Sequence, residues 1–241
     1  MFDKYSKEDL DLLRKKYPDN FDEQLEKLNN NYPIQYLIGH VNFLGYKINV
    51  NEDVLIPRFE TEYLVDDTIK LIKKYIKNPK ILDVGTGSGC IAIALSKELN
   101  VNVCALDVSS KALRIAAENA KENSADLTFI CEDIEDYDTS SKYNVLISNP
   151  PYVEINSKVD KETIYEPQNA IYAGDNGLEF YKIILSRCRE LLEDKNVIAF
   201  EIGDKQVNEI INIARVYYPK ANIVAKNDLN NLNRYIYIIN E

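Results

Sequence analysis

The chain has 241 residues, of which 45% are hydrophobic and 28% charged, and its formal net charge is −10. This length holds one good-sized domain, or one domain with a small extra piece. The acidic balance argues against a chain whose main role is to bind nucleic acid, because phosphate neutralisation requires clustered Lys and Arg. No apolar stretch reaches the roughly 18 residues that indicate a membrane span, and residues 1–13 lack the basic and apolar regions of a signal peptide. We therefore expect a cytoplasmic protein that does not contact a membrane.

The cysteines and the histidine limit the possible chemistry. The four cysteines are scattered without CxxC spacing, and His40 is the only histidine. Thiols in apolar runs are typical of reduced, mostly buried side chains in a cytosolic protein. This composition argues against a zinc site and against a Ser-His-Asp site, so we predict no bound metal.

The order of predicted elements indicates the fold class. Residues 6–30 carry apolar side chains at helical spacing, and the sequence FLGYKINV at 43–50 predicts a β-hairpin. A helix is predicted at 60–77. The strands predicted beyond it are 80–84, 101–107, 127–131, 143–149, 196–202, 221–226 and 234–240, and the helices among them are 90–99, 110–123, 178–192 and 206–218. Alternating strands and helices predict an α/β fold with a doubly wound, mostly parallel sheet, and the last two strands predict an antiparallel hairpin within it.

A glycine loop, DVGTGSGC at 83–90, lies between the first strand of this region and its helix. Its three glycines allow a sharp turn and a close approach of the backbone to a ligand at the helix N-terminus. Asp107 and Asp133 follow the next two strands, and the carboxyl ends of adjacent parallel strands form the ligand crevice of such a sheet. An acidic side chain in Asp107's position can bind ribose hydroxyls.

The spacing within the loop indicates which nucleotide binds. It is GxGxG rather than the GxGxxG of dinucleotide-binding loops, because Cys90 occupies the last position, and Asp83 precedes the glycines. Carboxylates repel a pyrophosphate but suit a cationic sulfonium ligand that carries an amino group. We therefore predict S-adenosyl-L-methionine, with S-adenosyl-L-homocysteine as the product.

The fourth strand of this region runs directly into Asn149, Pro150, Pro151 and Tyr152. Each proline fixes its own φ and holds the preceding residue extended, which makes a stiff corner. The side-chain oxygen of Asn149 and the carbonyl of Pro150 can accept both hydrogen bonds from one planar –NH2 group, and Tyr152 can stack on a flat amide or base. Two acceptors would hold the nitrogen toward a methyl donor and stabilise the charge that develops on it. We predict Asn149, Pro150 and Tyr152 as catalytic residues, and these three with Pro151 as the substrate site.

The motifs DVGTGSGCIAIAL and NPPY together resemble the class I S-adenosylmethionine-dependent methyltransferases that modify planar –NH2 groups. Four longer segments resemble one branch, the release factor glutamine methyltransferase family: 33–65, 165–185, 200–206 and 228–234. The resemblance covers residues 33–240.

This resemblance implies a Rossmann-like, mostly parallel seven-stranded sheet and methylation of the glutamine side-chain amide in the Gly-Gly-Gln motif of peptide-chain release factors. It implies a helical substrate-docking region at 1–40, a β-hairpin linker at 41–59 and a methyltransferase domain at 60–241. The cofactor-binding residues that it implies are Gly85, Thr86, Gly87, Ser88, Gly89, Asp107, Asp133, Ile134 and Asn149, of which Asp133 and Ile134 would flank the adenine. We expect a monomer whose partners are release factors.

Two features depart from the family pattern. The family's IPRPETE is here IPRFETE, with Phe59 in place of proline, and the helical region before the hairpin is short. Two other functions stay open. One is a nucleic-acid (DNA or RNA) exocyclic amino-methyltransferase, which would use the same corner. The net negative charge and the lack of a sizeable target-recognition insert argue against it. The other is a ligand-binding or assembly protein without activity, against which the intact corner and glycine loop argue.

Overall fold

The computed structural model describes residues 5–241, and its N-terminal part is a small helical unit. The unit contains helices α1 (Lys7–Lys16), α2 (Phe21–Asn29) and α3 (Ile34–Ile38), and the hairpin strands β1 (His40–Phe43) and β2 (Tyr46–Asn49) follow it. Ser6 caps α1 by accepting a hydrogen bond from the backbone N–H of Asp9. The three helices bury a core of their own around Leu13 and Leu28.

The rest of the chain builds a seven-stranded sheet with helices on both faces. The helices are α4 (Phe59–Tyr75), α5 (Cys90–Leu99), α6 (Ser110–Asn123), the irregular turn α7 (Gly174–Gly177), α8 (Glu179–Leu191) and α9 (Val207–Tyr217). The strands of the sheet are β3 (Ile81–Val84), β4 (Val103–Asp107), β5 (Leu127–Cys131), β6 (Tyr143–Ser148), β9 (Leu192–Glu201), β10 (Asn222–Asn227) and β11 (Asn233–Asn240). A separate ladder joins β7 (Val153–Glu154) to β8 (Tyr172–Ala173).

The strand order is β10-β11-β9-β6-β3-β4-β5. The five strands from β9 to β5 are parallel, whereas β11 runs antiparallel to β9 and pairs with β10 in the C-terminal hairpin. The chain proceeds from β3 outward to β5 and then returns to β6 on the other side of β3. Ligands of open α/β sheets bind at such a reversal, beyond the carboxyl ends of the strands. The predicted class I methyltransferase fold is therefore confirmed.

Both faces of the sheet are buried. Ile81 packs into the cluster that contains Leu64 of α4 and Ile93 of α5, while its neighbour Leu82 packs on the opposite face with Ile184 of α8 and Ile210 of α9. Burial on both faces explains why the parallel strands read as continuous apolar runs in the sequence.

The helices and strands predicted from the sequence are all present, and the largest difference is in β9, which begins at Leu192 rather than at residue 196. The sequence patterns did not predict the short ladder of β7 and β8, whose strands have two residues each. Three cysteines are buried as expected, but Cys131 is exposed on the edge strand β5. Within residues 5–241, none of the helices combines the length and the apolar character that a membrane crossing requires.

Candidate active site

The glycine loop connects β3 to α5 at the reversal of the strand order. Gly89 has φ +81°, and a Cβ built there would lie 3.0 Å from the Cβ of Ala116, so a glycine lets α5 and α6 pack closely. Gly85 and Gly87 line a cavity at the carboxyl edge of the sheet, which we call the donor cavity. The loop thus presents backbone rather than side chains to this cavity.

Three predicted loop residues support the cavity from behind and do not line it. The hydroxyl of Thr86 donates to Oδ2 of Asp83 at 2.6 Å, and the carbonyl of Ser88 accepts a hydrogen bond from Nδ2 of Asn119 at 2.9 Å. Gly89 provides the close packing described above. These residues shape the loop through its hydrogen bonds and packing.

Asp83 also lies outside the cavity lining, and its side chain is fully buried. Its Oδ1 has no hydrogen-bond partner within residues 5–241. Burial raises the pKa of this carboxyl to about 7, and the nearby Asp107 adds to the shift. The sequence argument that Asp83 faces a cationic ligand is therefore wrong, because the strand turns this side chain into the core.

Asp107 lies at the end of β4, and both of its carboxylate oxygens accept backbone hydrogen bonds. Oδ2 accepts from the N–H of Gly87 at 2.8 Å and Oδ1 from the N–H of Ser109 at 2.8 Å. Burial raises its pKa, while these two N–H donors oppose the shift. The two bonds fix the carboxylate at the cavity wall, and each oxygen keeps a further lone pair for a ligand hydroxyl.

The charge of the donor cavity indicates its ligand. Its lining contains Asp53, Asp107, Glu132 and Asp133 and, within residues 5–241, no Lys, Arg or His. Asp53 is paired with Lys111 and Arg114, which lie outside the lining. Ile134, which is buried, supplies an apolar surface beside these acids. An acidic lining disfavours a phosphate group and suits a cationic ligand.

The corner at the end of β6 separates the donor cavity from a second, larger cleft. The cavity and the cleft share five lining residues: Leu55, Asn149, Pro150, Pro151 and Ala170. Tyr152 lines the cleft only. Within residues 5–241, neither Oδ1 of Asn149 nor the carbonyl of Pro150 accepts a hydrogen bond, so both acceptors are available at this junction.

Asn149 and Tyr152 are joined by a buried chain of hydrogen bonds. Nδ2 of Asn149 donates to Oγ1 of Thr61 at 3.2 Å, and the Thr61 hydroxyl donates to Oε2 of Glu201 at 2.7 Å. Oε1 of Glu201 accepts from the Tyr152 hydroxyl at 3.2 Å. One carboxylate therefore holds two of the predicted catalytic side chains.

Glu201 lies at the end of β9 and is 1% exposed. Burial raises its pKa, and the hydroxyls of Thr61 and Tyr152 together with the charge of Arg234 oppose that shift. Burial also raises the pKa of Tyr152, with the nearby Glu201 charge adding to the effect. The tyrosine hydroxyl thus stays a proton donor to Glu201 at neutral pH.

The segment just before Phe59 is anchored to Glu166, which also lines the cleft. Glu166 accepts from Nη2 of Arg58 at 2.5 Å and from the backbone N–H of Ile56 at 3.0 Å. Phe59 itself is 59% exposed at the start of α4, and its ring makes an edge contact with Tyr63.

Comparison with known proteins identifies the family. The Methyltransferase small domain family matches residues 61–171. The release factor glutamine methyltransferase of Bacillus anthracis is 36% identical over 228 residues, which cover 90% of this chain and 80% of that protein. The corresponding protein of Flavobacterium psychrophilum is 41% identical over 220 residues, covering 88% and 77%.

The chain belongs to the release factor glutamine methyltransferase family.

The fold agrees with this family. The crystal structure of the release factor-specific protein-(glutamine-N5) methyltransferase from Alicyclobacillus acidocaldarius has a TM-score of 0.50 and 24% identity to this chain, covering 80% of this chain and 99% of that one.

Gly177 and Gln206 hold the corner in place, and the sequence analysis did not identify either of them. Both lie in segments that resemble the release factor glutamine methyltransferases. A Cβ at Gly177, which has φ +78°, would lie 2.2 Å from the Tyr152 carbonyl, and Nε2 of Gln206 donates to that carbonyl at 3.0 Å. Thr61 and Glu201 were also missed. A signal was present in the apolar run of β9, because a lone glutamate in such a run requires a buried partner.

Proposed function

We propose that this chain methylates the side-chain amide nitrogen of the glutamine in the Gly-Gly-Gln motif of peptide-chain release factors, with S-adenosyl-L-methionine as the donor. The observation that carries the proposal is the pair of available acceptors at the junction, Oδ1 of Asn149 and the carbonyl of Pro150. They lie where a donor in the acidic cavity would meet an amide entering from the cleft.

Bound S-adenosyl-L-methionine would supply a methyl group already activated on a sulfonium. Gly85 and Gly87 would lie against its methionine part, Asp107 would accept from the ribose hydroxyls, and Asp133 and Ile134 would flank the adenine. The acidic lining suits the cation. The supporting roles of Thr86, Ser88 and Gly89 are to hold the loop in shape.

Asn149 and Pro150 would act on the target amide by accepting its two N–H bonds. An amide nitrogen is a poor nucleophile because its lone pair is delocalised, and acceptors on both N–H bonds stabilise the positive charge that develops during attack. They also orient the nitrogen toward the donor cavity, which contributes through positioning. Pro151 and Tyr152 complete the wall beside the amide, with Tyr152 on the cleft side.

The cleft supports a protein substrate rather than a nucleic acid. Its lining carries three basic side chains, Arg58, Lys158 and Arg234, against four acidic ones, Asp160, Glu162, Glu166 and Glu201. A backbone of phosphates would meet no net positive surface there.

The helical region 1–40 would dock the release factor, with 41–59 as the linker and 60–241 as the methyltransferase domain. Residues 1–4 of this region lie outside the described residues. The region borders the cleft, because Gln35 lines it. The region also contacts the segment beside the cleft, where the Tyr165 hydroxyl donates to the carbonyl of Asn30 at 3.0 Å and the rings of Tyr32 and Tyr165 meet edge to face. A partner on these helices would therefore lie beside the entrance to the cleft.

The test is methyl transfer from labelled S-adenosyl-L-methionine to a purified release factor, with DNA and RNA run in parallel. A release factor in which the Gly-Gly-Gln glutamine is replaced by glutamate is the matched control. We expect label on the unaltered release factor only. Label on nucleic acid instead would support an exocyclic amino-methyltransferase, and donor binding without transfer to any of these would support a ligand-binding protein.

A further inference from the structure

The two orientations of the Asn149 side chain have opposite consequences at the junction. An asparagine amide has nearly the same shape when it is rotated by half a turn, but its oxygen accepts hydrogen bonds and its nitrogen donates them. Only with the oxygen toward the junction does it accept from a target –NH2 group. The opposite orientation would set two donor groups against each other.

The hydrogen-bond chain behind Asn149 selects one orientation. The Thr61 hydroxyl has one proton, and the 2.7 Å contact with Oε2 of Glu201 uses it, because a carboxylate only accepts. Oγ1 of Thr61 is then left as an acceptor toward Asn149. It is satisfied by the nitrogen Nδ2 at 3.2 Å, so Oδ1 faces the junction.

Glu201 is held firmly enough to set this direction. Its second oxygen accepts from the Tyr152 hydroxyl, and its backbone carbonyl accepts from the Tyr181 hydroxyl at 2.8 Å. Its strand neighbour in β11 is Tyr235. Thr61, which is 2% exposed, lies in the first turn of α4. Neither residue lines the donor cavity.

We propose that Thr61 and Glu201 are positioning residues that hold the Asn149 amide with its oxygen toward the target nitrogen. The proposal rests on the proposed function, because it assigns the groups that orient the Asn149 oxygen toward the amide of a glutamine side chain. We call the two acceptors, Oδ1 of Asn149 and the carbonyl of Pro150, the amide clamp. Glu201 directs the proton of Thr61, and Thr61 in turn selects the nitrogen of Asn149.

The first test compares Thr61→Val, which removes the hydroxyl at nearly constant shape, with Thr61→Ser, which retains it. Thr68→Val is the matched control, because Thr68 is fully buried on the same helix and its hydroxyl donates to the Leu64 carbonyl instead. We expect the single-turnover rate of Thr61→Val on a release factor to fall about 10- to 100-fold, by analogy with the loss of hydrogen-bond partners that orient metal-ligating side chains. Thr61→Ser and Thr68→Val should stay near the unmutated rate, and all three should bind S-adenosyl-L-homocysteine with unchanged affinity.

Several outcomes would overturn the proposal. The first is a rate in Thr61→Val equal to that of the unmutated protein, and the second is a rate in Thr61→Ser as low as that in Thr61→Val. The third is a fall in the affinity of Thr61→Val for S-adenosyl-L-homocysteine as large as its fall in rate. Glu201→Gln provides a second variant, since its amide can donate to Thr61 and release the Thr61 proton toward Asn149. A rate in folded Glu201→Gln equal to that of the unmutated protein would remove Glu201 from the assignment.

The second test does not require activity. The side-chain amide signals of Asn149 are identified in the spectrum of protein with ¹⁵N-labelled asparagine by their loss in Asn149→Ala. We expect these signals to shift and to exchange faster with water in Thr61→Val, and to be unchanged in Thr68→Val. If the unmutated protein transfers no methyl group, the proposed function fails. If the Asn149 signals are the same in Thr61→Val, the positioning role fails.

Discussion

The carboxylate of Asp107 accepts a 2.8 Å hydrogen bond from the backbone N–H of Gly87, so the end of β4 is tied to the glycine loop after β3. This contact gives Asp107 a role in holding the loop, in addition to the role toward the ribose that we propose for it.

Asp107→Ala should weaken donor binding through both roles. A hydrogen bond to a charged group contributes roughly 1.5–3 kcal/mol, which corresponds to about tenfold or more in affinity. Calorimetric titration with S-adenosyl-L-homocysteine measures the effect, and thermal unfolding controls for the fold. Unchanged affinity would contradict the ribose assignment.

Asn149→Ala should lower turnover on a release factor by about 100-fold or more, as when one preorganised charge-stabilising contact is removed. Donor affinity should change much less, because Asp107, Asp133 and Ile134 lie at other parts of the cavity. Asn149→Asp retains an acceptor and should lose less activity than the alanine variant. Single-turnover methylation gives the rates of the unmutated protein and of the two variants. If Asn149→Ala methylates at the rate of the unmutated protein, the amide clamp is wrong.

Asp83→Asn should change how stability depends on pH. The folded-state pKa of Asp83 is about 7, above its ordinary value of 3.8, so the folded state holds the proton more tightly. The stability from this group is complete below pH 4 and is lost as the pH rises toward 7. At 1.36 kcal/mol per pKa unit, the unmutated protein should lose about 2–3 kcal/mol more of its unfolding free energy between pH 5 and pH 8 than Asp83→Asn does. Urea denaturation at the two pH values tests this, and parallel losses would contradict the raised pKa.

Phe59→Pro, which restores the residue expected in the family, should leave the fold intact. Phe59 is the first residue of α4, where proline is compatible with a helix, and Arg58 before it is already extended with φ −97° and ψ 149°. We expect the unfolding free energy to change by less than about 1 kcal/mol. A loss of several kcal/mol in urea denaturation would mean that the exposed ring of Phe59 stabilises the loop.

Leu12→Glu should weaken binding of the release factor without changing the affinity for S-adenosyl-L-methionine. Leu12 is 46% exposed on α1, and Val216, 71% exposed on α9, provides a matched control as Val216→Glu. We expect a several-fold rise in KM for the release factor in the first variant and none in the second. Equal KM values in both variants would remove the docking role from this face of α1.

Much of the site follows from the sequence because parallel strands bring their carboxyl ends to one edge. Asp107 ends a strand, and Asp133 and Asn149 lie just beyond the ends of two others, so their neighbourhood could be predicted without knowing the packing. The link from Thr61 to Glu201 could not, since 140 residues separate them and only the packing of α4 on the sheet brings them together. The direction of Asp83 was mistaken for a related reason, because adjacency to the glycines in sequence does not fix which side of the strand a side chain takes.

The five residues shared by the donor cavity and the cleft give the boundary between them a preference for uncharged groups. Leu55, Pro150, Pro151 and Ala170 have apolar side chains, and Asn149 adds one neutral amide. A protonated lysine entering from the cleft would lose its hydration and would face the like charge of a bound sulfonium at this boundary. A carboxylate would meet the two acceptor oxygens of Asn149 and Pro150, and the one side-chain donor group among the five residues, Nδ2 of Asn149, donates to Thr61 instead. A neutral primary amide meets neither penalty, so under the proposed function we expect this boundary to favour glutamine over charged side chains.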